Sequence, residues 1–226
     1  MEDYNTLYSN EYKFNEYWFD SVSFNWAILF PYLKNKNSNF KLNNVLEIGC
    51  YEGRATIWLV NNILESECKY DIIDTFGGSE VESGMEKTTD RIKDKPTIIE
   101  DNFRHNISFH DNINWNIMKG MSNKILPTLD LTPKYDFIYI DASHQSDDTF
   151  VDGYYAHKML KPGGLLIFDD YGWGDPNNKD INHSPRAGIN AFTNLYSNSY
   201  KVFEGDDGKS LYQKYLIKNT IRIDNQ

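Results

Sequence analysis

Residues 45–56 read Val-Leu-Glu-Ile-Gly-Cys-Tyr-Glu-Gly-Arg-Ala-Thr, a short apolar strand followed by a turn with two glycines and the start of a helix. Gly49 and Gly53 remove side chains that would keep a ligand away from the backbone. The spacing is Glu-x-Gly-x-x-x-Gly, not the Gly-x-Gly-x-x-Gly of dinucleotide sites, and the turn has no Gly-Lys-Ser/Thr phosphate cradle. The stretch indicates a nucleotide-binding turn whose ligand has no pyrophosphate; an ordinary strand-to-helix turn is the alternative.

A second strand, at residues 70–74, ends in Asp74, roughly 20 residues after the glycines. A carboxylate at this point of an open α/β nucleotide fold accepts the two ribose hydroxyls. We therefore expect Asp74 to bind ribose with Thr75 beside it, although a strand-end Asp can also cap the next segment. With a helix at residues 55–64 between the strands, the spacing predicts a parallel, right-handed βαβ unit.

Composition narrows the classes of protein and of partner. The chain has 226 residues, 40% of them hydrophobic and 15% aromatic, which is enough for one well-filled domain. A net charge of -10 argues against a nucleic-acid partner, because such binding depends on Lys and Arg at the phosphates. Cys50 and Cys68 form no disulfide framework, which suits a reducing compartment.

The sequence also argues against a membrane partner. No apolar run reaches membrane-spanning length, and the acidic N-terminus has no signal-peptide core. We therefore predict a cytoplasmic protein that acts on a small molecule. The sequence leaves a homo-oligomer open.

The first 43 residues are rich in aromatic side chains, and residues 22–33 have helical apolar spacing. We expect an N-terminal helical segment over residues 1–43 that packs on or caps a domain formed by residues 44–226. The aromatic side chains either pack a helix against the sheet or form the wall of a substrate pocket.

Carboxylates follow two apolar strands in the second half of the chain. The strand at residues 135–140 leads into Asp141 and then His144, and the strand at residues 165–168 ends at Asp169 and Asp170. Because neighbouring parallel strands end at the same edge of a sheet, the three carboxylates should converge. Three carboxylates with water suit a hard cation of the Mg²⁺ type, whereas an Asp-Asp pair that only caps a turn is the alternative.

Two further segments are candidates for adenine binding and for a lid over the cofactor. Met121 and Ser122 follow a strand at residues 115–118, where they would meet the face and edge of an adenine or form a plain turn. Residues 75–96 are polar, contain glycines and have no strong apolar period. They predict a long loop of the kind that often forms a lid.

Together these motifs resemble the class I S-adenosylmethionine-dependent methyltransferases. The stretches that carry the resemblance are Val-Leu-Glu-Ile-Gly-x-x-x-Gly at 45–53, Asp74, Ile-Asp-Ala-Ser-His-Gln at 140–145 and Leu-Lys-Pro-Gly-Gly-Leu-Leu-Ile-Phe-Asp-Asp-Tyr at 160–171. The last two are similar to a small branch related to metal-dependent O-methyltransferases.

The resemblance extends from about residue 44 to the C-terminus and implies the fold. That fold is a Rossmann-like three-layer α/β sandwich around a seven-stranded, mostly parallel sheet of order 3-2-1-4-5-7-6 with an antiparallel last strand. A hairpin of residues 201–203 and 211–217 would close the sheet.

The resemblance also implies S-adenosylmethionine as cofactor and Mg²⁺, or a similar divalent cation, held by Asp141, Asp169 and Asp170. Two positions depart from the catechol-type relatives: Asp170 stands where they often have Asn, and His144 where their base is Lys. The cofactor-binding residues expected on this basis are Glu47, Gly49, Cys50, Tyr51, Gly53, Asp74, Thr75, Met121, Ser122 and Asp141.

The predicted reaction is methyl transfer to a hydroxyl of a small acceptor, either a sugar or an aromatic compound. Because a sulfonium methyl group is already activated, the enzyme must align the acceptor, exclude water and remove a proton. Histidine as a residue type titrates near neutral pH, so we expect His144 to be the base, with Asp141 as the second catalytic residue.

Two other classes of function remain open. A catalytically inactive methyltransferase-fold binding protein would keep the cofactor site without turnover. A nicotinamide-dependent oxidoreductase shares the Rossmann fold but needs the tighter glycine spacing.

Overall fold

The structure is a computed structural model that describes residues 8–9, 11–38, 40–65, 67–78, 95–173, 181–203 and 212–220. The described residues form one seven-stranded sheet of order β3-β2-β1-β4-β5-β7-β6. β7 is antiparallel to β5 and β6, and the other pairs are parallel. This confirms the predicted fold. The strands are β1 Asn44–Ile48, β2 Lys69–Asp74, β3 Asn114–Lys119, β4 Tyr135–Ile140, β5 Leu160–Phe168, β6 Tyr200–Phe203 and β7 Lys214–Lys218.

Helices cover both faces of the sheet and complete the three layers. α1, α2 and α3 pack in the hydrophobic core of one face, and α4, α5 and α6 lie on the other. The helices of the described residues are α1 Asp20–Lys36, α2 Arg54–Asn62, α3 Ile98–Ile107, α4 Ser122–Ile125, α5 Ser146–Met159 and α6 Pro185–Leu195, with single 3-10 turns at Leu126–Thr128, Ile181–His183 and Ser197–Ser199.

The central strands are nearly continuous runs of apolar residues because helices cover both of their faces. Trp26 of α1 is 1% exposed and packs edge-on against Trp58, Phe137 and Tyr139. Trp26 therefore packs α1 against the sheet, which is one of the two roles expected for the N-terminal aromatic residues. Trp18 and Phe24, by contrast, are exposed.

Backbone hydrogen bonds bring the strand ends together at one rim of the sheet. The Gly49 amide donates to the Ile73 carbonyl, the Asp141 amide to the Ile48 carbonyl and the Asp169 amide to the Ile140 carbonyl, each at 2.8 Å. The residues after β1, β4 and β5 are thereby held side by side. The strand-end carboxylates converge on the edge where the parallel register predicted them.

Some expectations differ or lie outside the described residues. β5 begins at Leu160 rather than near residue 165, because Leu160 pairs with Tyr135 before an irregularity in the ladder. Most of the predicted loop at residues 75–96, and residues 204–211 of the predicted hairpin, lie outside the described ranges. No helix within these ranges is long and apolar enough to cross a membrane.

Candidate active site

Tertiary packing requires glycine in the turn after β1. Gly49 and Gly53 have φ values of +85° and +81°, in the left-handed region that favours glycine. A Cβ atom on Gly49 would lie 1.9 Å from the Asp141 carbonyl oxygen, and one on Gly53 would lie 2.9 Å from the Phe103 ring. The loop after β4 thus lies directly against this turn, so the glycine turn and the segment that begins at Asp141 are in contact.

Asp74, the predicted ribose ligand, holds the glycine turn in place. Its Oδ2 accepts hydrogen bonds from the backbone amides of Cys50 at 2.6 Å and Tyr51 at 2.9 Å. Its Oδ1 accepts one from the Phe76 amide at 2.6 Å. Because a carboxylate has about four acceptor sites, these three bonds leave roughly one for a ligand. Thr75 beside it is exposed and accepts a bond from the Gly77 amide.

Glu47 lies buried beneath the turn. Its Oε2 accepts hydrogen bonds from Tyr70 at 2.6 Å and Thr56 at 2.7 Å, whereas its Oε1 has no partner among the described residues. Desolvation raises the pKa of Glu47 to about 7, against the lowering effect of those two bonds. An unpaired acidic oxygen next to the glycine turn fits a ligand that carries positive charge, such as the ammonium and sulfonium of S-adenosylmethionine.

Cys50 and Tyr51, which follow Gly49 in the turn, contribute mainly their backbone and one ring. Cys50 is buried, and desolvation, followed by the Asp74 and Glu47 charges, raises the pKa of its thiol well above the ordinary value. It is therefore inert as a nucleophile. Tyr51 has a φ of +51°, and its ring packs 5.1 Å from that of Trp18, so the N-terminal segment lies over the turn.

Met121 and Ser122 lie on the same rim, beside Asp74. The Gly120 amide donates to the Asp74 carbonyl at 2.9 Å, which fixes the start of the loop after β3 next to the end of β2. Met121 is 53% exposed and Ser122 begins α4. Binding of an adenine by these two residues stays a prediction.

The carboxylates after β4 and β5 share one hydroxyl. Tyr139 Oη lies 3.2 Å from Asp141 Oδ2 and also contacts Asp169 Oδ2. Asp169 Oδ2 accepts a second bond from Gln213 Nε2 at 2.8 Å, and its Oδ1 accepts one from the Asp170 amide at 2.8 Å. Both oxygens of Asp169 are therefore already hydrogen-bonded within the protein.

Burial and mutual repulsion raise the pKa of two carboxyl groups in this cluster, those of Asp141 and Asp169. Desolvation and then the Asp170 carboxylate raise the pKa of Asp169 to about 6. Desolvation and then the Asp169 and Asp170 carboxylates raise the pKa of Asp141 well above its ordinary value. Since Asp141 is itself exposed at the rim, we ascribe the direction of its shift mainly to repulsion between the carboxylates.

The described arrangement does not fit the predicted metal centre. Within the described ranges, no group of three or more His, Cys, Asp and Glu side chains is placed to hold a metal ion. The chemistry of Asp141, Asp169 and Asp170 suits Mg²⁺, but Asp169 already accepts bonds from Tyr139 and Gln213 on Oδ2 and from the Asp170 amide on Oδ1. Metal binding by these residues stays a prediction.

His144 lies on the same rim and pairs with Asp170. Its Nε2 is 3.0 Å from Asp170 Oδ2, and its ring stacks on Trp173 with centroids 4.1 Å apart and an interplanar angle of 23°. Asp170 has a φ of +57°, a strained conformation for a residue other than glycine. The strained backbone carries the carboxylate that orients the imidazole.

The sequence did not single out Tyr139, Gln213 or Glu52 as site residues. Tyr139 resembled an ordinary strand residue, and Gln213 lies 44 residues from its partner Asp169. Glu52 is buried and accepts bonds from the Asn15 amide and side chain, each at 2.6 Å, which ties the N-terminal segment to the turn. For Glu52, its position between the two glycines was the only available signal.

The sheet order, the glycine turn and the acids at the rim define a class I S-adenosylmethionine-dependent methyltransferase fold. The chain belongs to the methyltransferase-domain family, whose model matches residues 46–171. This confirms the family resemblance and the enzyme class. No curated protein matches the chain.

Similar solved structures agree on the fold. An O-methyltransferase of tomaymycin synthesis from Streptomyces achromogenes, solved with S-adenosylmethionine, is 18% identical with a TM-score of 0.53, over 84% of this chain and 79% of that one. A Corynebacterium glutamicum protein is 14% identical with a TM-score of 0.55, over 93% and 94%. A Podospora anserina methyltransferase bound to S-adenosylhomocysteine is 14% identical with a TM-score of 0.52, over 84% and 78%.

Proposed function

We propose that the protein transfers a methyl group from S-adenosylmethionine to a hydroxyl of a small sugar or aromatic acceptor. The observation that carries this proposal is the position of the hydrogen-bonded His144 and Asp170 pair on the same rim as the glycine turn. The O-methyltransferase from Streptomyces achromogenes shares the fold, and its donor agrees with the proposed one.

The donor site consists of the glycine turn and its acids. When bound, S-adenosylmethionine supplies a methyl group on a positively charged sulfonium. Asp74 fixes the amides of Cys50 and Tyr51, so that the turn is preorganised, and its remaining acceptor site suits a ribose hydroxyl. A bound cation favours the ionised forms of Glu47 and Asp141, so these two acids favour the cationic donor over its neutral product.

His144 supplies the base in this proposal. An ionised carboxylate only accepts hydrogen bonds, so Asp170 holds the tautomer in which Nε2 of His144 carries the hydrogen. Nδ1 then bears the lone pair that removes the acceptor's hydroxyl proton. Asp170 stabilises the imidazolium that forms, and Trp173 keeps the ring oriented and covered on one face.

Magnesium assistance is the other form of the same proposal. It requires Tyr139 and Gln213 to release Asp169, so that Asp141, Asp169 and Asp170 can turn their oxygens towards one cation. The hydrogen-bonded pair of His144 and Asp170 accounts for proton removal while Tyr139 and Gln213 stay bonded to Asp169. Dependence on Mg²⁺ separates the two forms.

The proposed function is tested by binding and by turnover. Calorimetric titration with S-adenosylmethionine and with NADH should give binding of the first alone, because the turn has no dinucleotide spacing. Methyl transfer should then be detected in a screen of hydroxylated sugars and aromatic compounds, with His144→Ala as the inactive control.

Each alternative predicts a different result. Binding of S-adenosylmethionine with no acceptor methylated would favour an inactive binding protein, and tight NADH binding would favour an oxidoreductase. A cytoplasmic location and the absence of nucleic-acid and membrane partners stay predictions.

A further inference from the structure

Two cations surround the ring of Tyr171, the residue that follows Asp170 at the rim. The Arg186 guanidinium carbon lies 5.2 Å from the centre of this ring, and Lys214 Nζ lies 5.5 Å from it. Tyr171 is one residue from the carboxylate that binds His144 and two residues from Trp173, which stacks on the same histidine. The two positive charges therefore lie at the ring of the residue that follows the His144-binding carboxylate in the chain.

Three segments of the chain hold this arrangement together. The Tyr171 amide donates to the Tyr212 carbonyl at 2.8 Å, its carbonyl accepts from Arg186 Nε at 2.8 Å, and its hydroxyl donates to Asn190 at 3.0 Å. Lys214 pairs with Phe168 at the end of β5. The end of β5, the start of α6 and the start of β7 thus meet at one corner of the rim, where hydrogen bonds connect them.

Arg186 differs from the other described arginines. Arg54 and Arg104 are paired with Asp20 and Glu100. In the described part of the chain, neither Arg186 nor Lys214 has a carboxylate within ion-pair distance. Arg186 uses one of its five N–H donors on the Tyr171 carbonyl, which leaves others for a ligand.

The charge balance of the protein makes this corner unusual. The chain carries 33 acidic and 23 basic residues, and the neighbouring rim is a cluster of carboxylates. An acceptor with an anionic group would be repelled by that cluster unless a positive corner received it. A guanidinium and an ammonium around one aromatic ring suit an anion held at the edge of an aromatic surface.

We propose that the methyl acceptor carries an anionic group, a carboxylate or a phosphate, which binds to Arg186 and Lys214 while its hydroxyl faces His144. This inference rests on the proposed function and names the substrate class of the same site. Tyr171 positions both cations, and the anion sets the direction in which the acceptor enters the rim.

The test is equilibrium binding to the full chain loaded with S-adenosylhomocysteine, measured by calorimetry with two matched pairs of probes. The aromatic pair is 3,4-dihydroxybenzoate and neutral 3,4-dihydroxybenzyl alcohol; the sugar pair is glucose 6-phosphate and glucose. The anionic probe of at least one pair should bind about tenfold more tightly than its neutral partner, as a charged hydrogen bond allows. The pair that shows the difference identifies carboxylate or phosphate.

Variants distinguish anion binding at Arg186 and Lys214 from an effect of the protein's net charge. Arg186→Ala and Lys214→Ala should each weaken the anionic probe by roughly three- to tenfold and leave the neutral probe unchanged. Arg186→Lys should restore part of the loss. Lys158→Ala is the matched control, since Lys158 is an exposed cation in the last turn of α5, far along the helix from the rim.

Equal affinity for the charged and neutral probes of both pairs would overturn the inference. An equal loss of anion binding in Lys158→Ala and Arg186→Ala would also overturn it, because the effect would then be one of net charge. Failure of the chain to bind S-adenosylhomocysteine in the loading step would instead count against the proposed function.

Discussion

Replacement of Asp152 by Asn should make the free energy of unfolding less dependent on pH. Asp152 lies on α5 and is 1% exposed, and neither of its carboxylate oxygens has a hydrogen-bond partner among the described residues. Desolvation raises its pKa from 3.8 to about 7. The nearby Ser122 hydroxyl opposes the shift without reaching hydrogen-bond geometry, and Asp148 adds to it.

Proton binding by Asp152 makes the free energy of unfolding depend on pH. Between pH 3.8 and about 7 the native state keeps the proton that the unfolded chain has released, so stability falls as the pH rises through this window. One pKa unit corresponds to about 1.4 kcal/mol. From pH 5 to pH 8 the wild type should lose roughly 3 kcal/mol through this group, and Asp152→Asn should not, because an amide does not titrate.

The assay is urea unfolding followed by circular dichroism at pH 5, 6, 7 and 8. The stability of Asp152→Asn relative to wild type should increase by roughly 3 kcal/mol across the series, with most of the change below pH 7. Asp147→Asn is the matched control, since Asp147 is exposed on the same helix, and its difference should stay within about 0.5 kcal/mol. Parallel pH profiles for Asp152→Asn and wild type would refute the reasoning.

Three further predictions concern the rim. His144→Ala should lower the turnover number roughly 100-fold or more and leave the calorimetric affinity for S-adenosylmethionine unchanged, because the histidine acts on the acceptor's proton; equal turnover would remove it from the mechanism. Gly49→Ala should abolish cofactor binding and lower stability by more than about 2 kcal/mol in urea unfolding, since its Cβ would meet the Asp141 carbonyl at 1.9 Å; normal binding would contradict this. Methyl transfer should persist after treatment with EDTA, because both oxygens of Asp169 are hydrogen-bonded within the protein; activity that returns only with added Mg²⁺ would favour the metal form.

The elements next to the motifs could be predicted because their signals are local. The short strand expected before Gly49 is β1, and the expected helix at residues 55–64 is α2, which ends two residues earlier than expected. An apolar run that ends at Gly49 leaves few other structures for this stretch. The order of the strands came from the family resemblance, and the described sheet has that order.

The partners of the site residues could not be predicted in the same way. Asp74 was expected to offer its oxygens to a ribose, yet they accept bonds from three backbone amides of two loops. Asp169 was expected to face a metal, yet it bonds to Tyr139, 30 residues away, and to Gln213, 44 residues away. No local pattern relates residues at these separations.

By itself, the sequence determined the glycine turn after the first strand and the strand ends at which the acids stand, because apolar runs and glycines act within a few residues. The parallel register then brought those ends to one rim. Only the tertiary structure decided that Asp170 orients His144, that Asp169 is held by Tyr139 and Gln213, and that Arg186 and Lys214 share the Tyr171 ring. Hydrogen bonds and ring contacts of this kind depend on how distant segments pack and on the direction of each side chain, which neither periodicity nor residue preference encodes.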